Sequence, residues 1–97
     1  MITGKQRATL RKMAHGMQPI FQIGKGGITD VLIEQLDRAI EARELIKITI
    51  LETALLDTRE TCAEIAKRRG AEPVQSIGSK FVLYRQAKNA KNRKIEL

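Results

Sequence analysis

Aromatic side chains are nearly absent from this chain: there is no tryptophan, and Phe21, Phe81 and Tyr84 are the whole complement. A protein that grips a run of unpaired bases by stacking needs several exposed rings, so recognition by shape or at a junction is expected ahead of reading a run of splayed bases. Phe21 and Phe81 fall at core positions of their segments, leaving Tyr84 as the single ring for stacking, with half-buried sheet packing as its other reading. Cysteine is equally scarce. Cys62 stands alone, which rules out an internal disulfide and fits a reducing compartment. With His15 the only histidine, there is no spaced Cys/His cluster and no metal site is expected; Cys62 lies on an apolar helical stripe, which predicts a buried, inert thiol. Long apolar runs are missing too, since Leu45 to Leu51 is interrupted by Lys47 and Thr49 and falls short of a bilayer span. The amino terminus has basic residues without an apolar signal core behind them, so a cytoplasmic location is expected. Neither a Walker loop nor a triad pattern is present, so no catalytic residue, cofactor or small-molecule substrate is expected, and a membrane-surface role would need a larger exposed apolar face than the first helical segment offers.

Carboxylates are missing altogether from residues 1–29, which hold Lys5, Arg7, Arg11, Lys12 and Lys25. Residues 30–72 carry seven basic and ten acidic groups, and residues 73–97 six basic groups against Glu96 alone. The net charge of +7 is therefore segregated, with basic ends and a mildly acidic middle. Such segregation points to a polyanionic partner met by a directed face.

Ninety-seven residues suit one domain. Thr3 and Gln6 have the form of a capping box and Gly16 supplies a stop, predicting a helix from about Gly4 to His15. Leu10, Met13, Ala14 and Met17 share one arc of it, while Lys5, Arg7, Arg11 and Lys12 lie outside that arc with no carboxylate nearby in sequence. Pro19 ends any helix, and Ile20 to Ile23 reads as a short strand. A second helix, capped by Thr29 or Asp30, runs to about Glu44, with Leu32, Ile33, Leu36, Ala39 and Ile40 on one face. Its other side bears Glu34, Asp37, Glu41 and Glu44, which in this spacing beside Arg38 read as a solvated face rather than as acid/base catalysts or metal ligands. Alternating Ile46, Ile48 and Ile50 predict a strand with one buried face. Asp57 or Thr58 opens a third helix ending at Gly70, and Val74–Ile77 and Phe81–Arg85 flank Gly78-Ser79, a pair suited to a type II′ hairpin turn. The order is αβαβαββ, an α/β (α+β) fold with a four-stranded mixed sheet packed with three helices. Residues 1–86 form the domain, and residues 87–97 lack an apolar face and are expected to be a flexible or induced basic tail.

Between the first strand and the second helix stands Gly24-Lys25-Gly26-Gly27. Glycine allows close backbone approach and positive φ, the first amides of a following helix are unpaired donors, and Lys25 adds a mobile cation, which together suit a phosphate. A tight strand-to-helix turn wants glycine for steric reasons alone, so the tetrapeptide by itself leaves both readings open.

The segments Leu10-Arg11 with Ala14-His15, Gln22-Ile23-Gly24-Lys25-Gly26-Gly27-Ile28-Thr29, Glu44-Leu45-Ile46-Lys47, Val74-Gln75-Ser76-Ile77-Gly78 and Leu83-Tyr84-Arg85 occur in order. Together they resemble the CRM domain of the YhbY type, from the start of the chain to about Arg85. The resemblance implies an RNA-binding domain similar in fold to the carboxyl-terminal domain of translation initiation factor three, with a glycine loop likened to that of KH domains. Because one copy fills the chain, it also implies the stand-alone bacterial form, whose partners are ribosomal RNA and the large-subunit precursor particle. Carried over by position, the RNA-contacting loop is Gly24, Lys25, Gly26 and Gly27, supported by Lys5, Arg7, Arg11 and Lys12 of the first helix. Lys80, Tyr84 and Arg85 are further candidates, Lys80 and Arg85 having an equally good reading as wet strand-end residues. A DNA-binding architectural protein is the alternative that shares these electrostatics.

Overall fold

Each α-helix begins where a side chain satisfies an otherwise orphaned amide. The structure, a computed structural model, describes residues 2–97. Helix α1 (Gly4–His15) opens on the full capping box: Thr3 Oγ1 accepts from the Gln6 amide at 3.1 Å and the Gln6 side chain accepts from the Thr3 amide at 2.9 Å. Helix α2 (Asp30–Arg43) is capped by Thr29, whose hydroxyl accepts from the Leu32 amide at 3.1 Å. Helix α3 (Thr58–Arg69) is capped by the Asp57 carboxylate, which accepts from the Glu60 amide at 2.9 Å, and it ends on Gly70 at φ 62°.

Strands β1 (Phe21–Ile23), β2 (Leu45–Ile50), β3 (Glu72–Ile77) and β4 (Lys80–Tyr84) form one mixed sheet in the order β1-β2-β4-β3. β1 runs parallel to β2, and β4 is antiparallel to both β2 and β3. The αβαβαββ order and the four-stranded mixed sheet are those the sequence predicts. Gly78 has positive φ (58°) and Ser79 does not, as a type II′ turn requires.

The two faces of the sheet carry different layers. Ile46, Ile48 and Ile50 of β2 join Ile23, Phe81 and Leu83 in a core with Leu36 and Ile40 of α2 and Ile65 of α3. The opposite face belongs to α1, whose Leu10 and Ala14 pack on Leu45, Val74, Val82 and Tyr84. Burying Leu10 completely is worth roughly 1.5–3 kcal/mol, which anchors α1 while its other side faces out. Met13, assigned by periodicity to the packing arc, is 43% exposed. Lys47 lies on the α1 face of β2, and its ammonium donates to the carbonyls of Ala14 at 3.1 Å and Met17 at 3.2 Å. It thereby satisfies oxygens at and just beyond the end of α1 and meets the negative end of that helix dipole.

Two expectations are corrected together. On the outer side of α2, Glu34 is solvated beside Arg38 as expected, and Asp37 pairs with Arg85 and Arg69, but Glu41 and Glu44 are not part of a solvated face and the tail is not a free arm, because each satisfies the other. Glu44 is 0% exposed and sits at φ 66° just past the end of α2. One of its oxygens accepts from the Ala87 amide at 2.7 Å, the other from Lys94 at 2.6 Å and Ile95 at 2.9 Å. Glu41 accepts from the amides of Lys88 and Asn89 and from the Asn92 side chain, at 2.8, 3.0 and 3.1 Å. The tail makes no strand ladder, so carboxylates take the place of the missing backbone acceptors.

The Asn89 amide first, then the Lys88 amide and the Asn92 side chain, hold the Glu41 carboxyl down to about 2 from an ordinary 4.5. A depressed carboxylate stabilises the fold fully above its unfolded value, and that contribution is lost as pH falls through the folded one. The tail contact is therefore expected to be intact above about pH 4.5 and to release as pH falls toward 2. An NMR titration of the Lys88 and Asn89 amides should show a midpoint near the lower value. A midpoint at the ordinary carboxylate value would mean that Glu41 does not hold the tail.

Candidate nucleic-acid interface

One end of the sheet gathers the glycine loop and the hairpin turn. The amide of Leu51 donates to the Ile23 carbonyl at 2.8 Å and that of Ile50 to the Ser79 carbonyl at 2.7 Å, so the last residues of β1 and β2, the residue after β2 and the residue before β4 meet there. Within the loop, the Gly27 amide donates to the Gly24 carbonyl at 2.9 Å, closing a turn with Lys25 and Gly26 exposed at its tip. Among the described residues the amides of Lys25 and Gly26 have no protein partner.

The glycines of this loop are not equivalent. Gly27 has φ 67°, which strains any residue with a side chain. Gly26 lies outside that region, and a Cβ built on it would meet nothing within 4 Å; one on Gly24 would make an ordinary 3.7 Å contact with Leu51. Turn geometry thus accounts for Gly27 and leaves Gly24 and Gly26 without an internal reason. Bare backbone at those two positions suits a ligand that comes close from outside.

The start of α2 contributes less than an isolated helix end would. Thr29 already takes the Leu32 amide, and the Asp30 carboxylate, 99% exposed, occupies the first turn with Arg68 3.7 Å away. An acidic group there offsets much of the dipole's attraction for a second anion. Anion binding at this end therefore rests mainly on the loop amides and Lys25.

Helix α1 lies across the opposite face of the sheet from α2. Its first turns are tied to β3, where Arg7 Nε donates to the Pro73 carbonyl at 3.1 Å and the Ile2 amide to a Glu72 oxygen at 3.0 Å. Lys5, Arg11 and Lys12 are exposed, whereas Arg7 is half-buried by its staple to β3. None of these four cations forms an ion pair among the described residues. Lys80 is exposed, and its register partners are Thr49 and Ile77, which puts it at the loop end and on the α1 side of the sheet.

Tyr84 and Arg85 stand apart, about 13 Å or more from Lys80 along β4. Tyr84 is 7% exposed in the α1-side core, and burial, with Glu44 nearby, pushes its hydroxyl above the ordinary value. Its ring faces are covered rather than free to stack. The Arg85 side chain is 10% exposed; Nη1 donates to Asp37 at 2.8 Å and to the Arg69 carbonyl at 2.9 Å, and Nη2 lies 3.7 Å from Glu41. It is a strut joining the end of β4 to α2 and the end of α3. His15 is exposed at the end of α1. Cys62 is buried, which raises its thiol pKa against an opposing hydrogen bond with Ser76.

Sequence reasoning passed over Lys47, whose role depends on a helix 30 residues away. It also passed over Gln18, Gln22 and Thr49, which line a groove beside the loop. The pairing of Gln22 with Thr49 was hidden because alternation shows which residues share a face, not which strands are neighbours.

Comparison with known proteins gives a consistent answer. A family model described as the CRS1 / YhbY (CRM) domain matches residues 2–85. The protein YqeI of Bacillus subtilis, named a probable RNA-binding protein, is 44% identical over 97 residues, 100% of this chain and 99% of its own length. MJ0652 of Methanocaldococcus jannaschii, named in the same way, is 36% identical over 86 residues, 87% of this chain and 63% of its own length. The solution structure of the Staphylococcus aureus protein SAV1595, described as a candidate RNA binder, superposes with a TM-score of 0.79 at 44% identity, covering 99% of this chain and 100% of that one. These descriptions are of RNA binding and name no enzymatic activity.

Proposed function

The chain belongs to the CRS1/YhbY (CRM) domain family, and from that premise we propose that it is a cytoplasmic RNA-binding protein that engages ribosomal RNA of large-subunit precursors and assists their assembly. The observation that carries the assignment of the site is the bare tip of the loop: Gly24 and Gly26 need no positive φ and have room for a side chain, and the Lys25 and Gly26 amides are unpartnered among the described residues. A phosphate seated there accepts from those amides and meets the Lys25 ammonium. Lys5, Arg7, Arg11 and Lys12 belong to a helix that begins beside Glu72 and Pro73, at the end of the sheet away from the loop, and neutralise phosphates farther along the RNA, Arg7 through the part of its guanidinium not committed to Pro73; Lys80 lies at the rim of the loop. Tyr84 and Arg85 are left out of the surface because the fold already uses them.

Binding of this kind is electrostatic and carries little base information of its own. With about five phosphates engaged, log K is expected to fall against log salt with a slope of roughly −3.5 to −4.5. Fluorescence anisotropy on a ribosomal RNA fragment at several salt concentrations measures it, and a slope near zero would remove the electrostatic mechanism. Duplex DNA competing at fixed salt separates the proposal from a DNA-binding architectural role, which requires DNA to compete as well as structured RNA.

The ribosomal assignment is tested by sedimenting cell extract through a gradient and sequencing RNA crosslinked to the protein. Enrichment with large-subunit precursors at discrete ribosomal RNA sites is the expected outcome. Crosslinks to messenger or small regulatory RNA instead would leave RNA binding in place and end the assembly role.

A further inference from the structure

Beside the glycine loop, the segment leading into β1 and the first two strands enclose a groove of about 530 Å³ lined by Gln18, Pro19, Ile20, Phe21, Gln22 and Thr49. Its chemistry differs from everything around it. No lining residue is charged, although Lys25 follows three residues after Gln22. Gln22 and Thr49 are register partners and lie on the α1 side of the sheet, outside the core that α1 covers. The side chains of Gln18, Gln22 and Thr49 make no hydrogen bond to protein among the described residues, so two primary amides and a hydroxyl stand ready for something else. Pro19 supplies an apolar wall, and Ile20 and Phe21, partly buried against the core on the α2 side, line the groove along the edge strand.

An occupant must be neutral, present donors and acceptors along one edge, and offer apolar faces. A nucleobase has that combination, and glutamine amides match base edges because each carries both a donor pair and an acceptor. Position agrees: Gln22 precedes Gly24 by two residues of extended chain, about 7 Å, which is within the reach of a single nucleotide from its phosphate to its base. We propose that this groove receives one unpaired nucleobase of the RNA whose phosphate lies in the glycine loop. The inference rests on the loop's being an RNA site. The protein then selects a bulge or junction, since the groove has room for a base and no exposed ring continues a stack.

The test uses two RNA hairpins of equal length and charge, one with a single-nucleotide bulge and one fully paired, measured by fluorescence anisotropy. The wild-type protein is expected to favour the bulged hairpin about tenfold or more. The Gln22→Ala/Thr49→Val double variant should lose that preference while binding the paired hairpin with unchanged affinity and salt slope. Gln18→Ala, on the connecting segment, repeats the test with an exposed residue outside the sheet should the double variant fail to fold by circular dichroism. Equal wild-type affinity for the two hairpins overturns the groove and leaves the loop as an RNA site. A preference kept in the variants overturns the assignment to these residues, and no RNA binding by the wild-type protein overturns groove and loop together.

Discussion

Changing Lys25 and Gly26 together to aspartate is expected to weaken RNA binding about a hundredfold near 0.1 M salt while leaving the fold intact. The loss has two parts. One lysine contact to phosphate disappears, and two carboxylates are placed where a phosphate must sit; each close charge encounter is worth roughly 1 kcal/mol in a wet surface setting. Together they come to roughly 3 kcal/mol, or about two powers of ten. The salt slope should become shallower by about one, the lysine's share of the released counterions. Preservation of the fold follows from the geometry of the tip, because Lys25 is exposed and a Cβ on Gly26 meets nothing. Gly27 is deliberately spared: at φ 67° a side chain costs roughly 1–2 kcal/mol of backbone strain, which would blur a binding loss with a folding loss. Anisotropy for affinity and circular dichroism for fold measure the pair of quantities. Unchanged RNA affinity in the folded double variant would remove the loop from the mechanism.

What the sequence revealed and what it hid divide along contact range. The capping box at Thr3 and Gln6, the Thr29 cap, the alternating isoleucines of β2 and the Gly78 turn are decided within a few residues, and each is legible as residue type at fixed spacing. The loop was legible as a candidate for the same reason, but its strongest support was not. Distinguishing Gly27, which the backbone requires, from Gly24 and Gly26, which it does not, takes dihedral angles and neighbours that spacing alone cannot supply. Faces were harder still. Nothing in the period of α1 indicates that it covers the side of the sheet away from α2 and α3, and so nothing indicated that Lys47 points at its carbonyls. Glu41 and Glu44 were misread because carboxylates at helical spacing normally face water. Their partners are main-chain amides 43 to 51 residues away, and an amide leaves no mark in the sequence.

Removing the Glu44 carboxylate is expected to be the most damaging single change to stability among those considered. Glu44→Ala strips the acceptors from three amides, those of Ala87, Lys94 and Ile95. Hydrogen bonds to a charged group contribute about 1.5–3 kcal/mol each when intact, but Lys94 and Ile95 are partly accessible to replacement water. A net loss of about 3 kcal/mol is therefore expected, against the roughly 5–15 kcal/mol of a typical domain. That corresponds to a fall in melting temperature of about 12–24 °C for a chain of this size. Burial alone would raise the Glu44 carboxyl pKa, yet the amides of Lys94, Ala87 and Ile95, with Arg93, outweigh it and leave the group below its ordinary value. Its contribution is thus present above the ordinary carboxylate pKa and lost as pH falls beneath it. Two further variants separate charge from backbone. Glu44→Gln keeps one oxygen for Lys94 and Ile95 but turns an NH₂ toward the Ala87 amide, donor against donor, and should fall between wild type and alanine. Glu44→Gly relieves the strain of φ 66°, worth roughly 1–2 kcal/mol, so it should be less damaging than alanine even though it also lacks the carboxylate. Denaturant unfolding measures all three, and an alanine variant within about 0.5 kcal/mol of wild type would show that the tail does not depend on this group. RNA affinity supplies the complementary readout. Glu44 sits beside Leu45, which pairs with Tyr84 at the far end of the sheet from the glycine loop, so a folded Glu44→Gln protein should bind RNA as the wild type does while unfolding more easily.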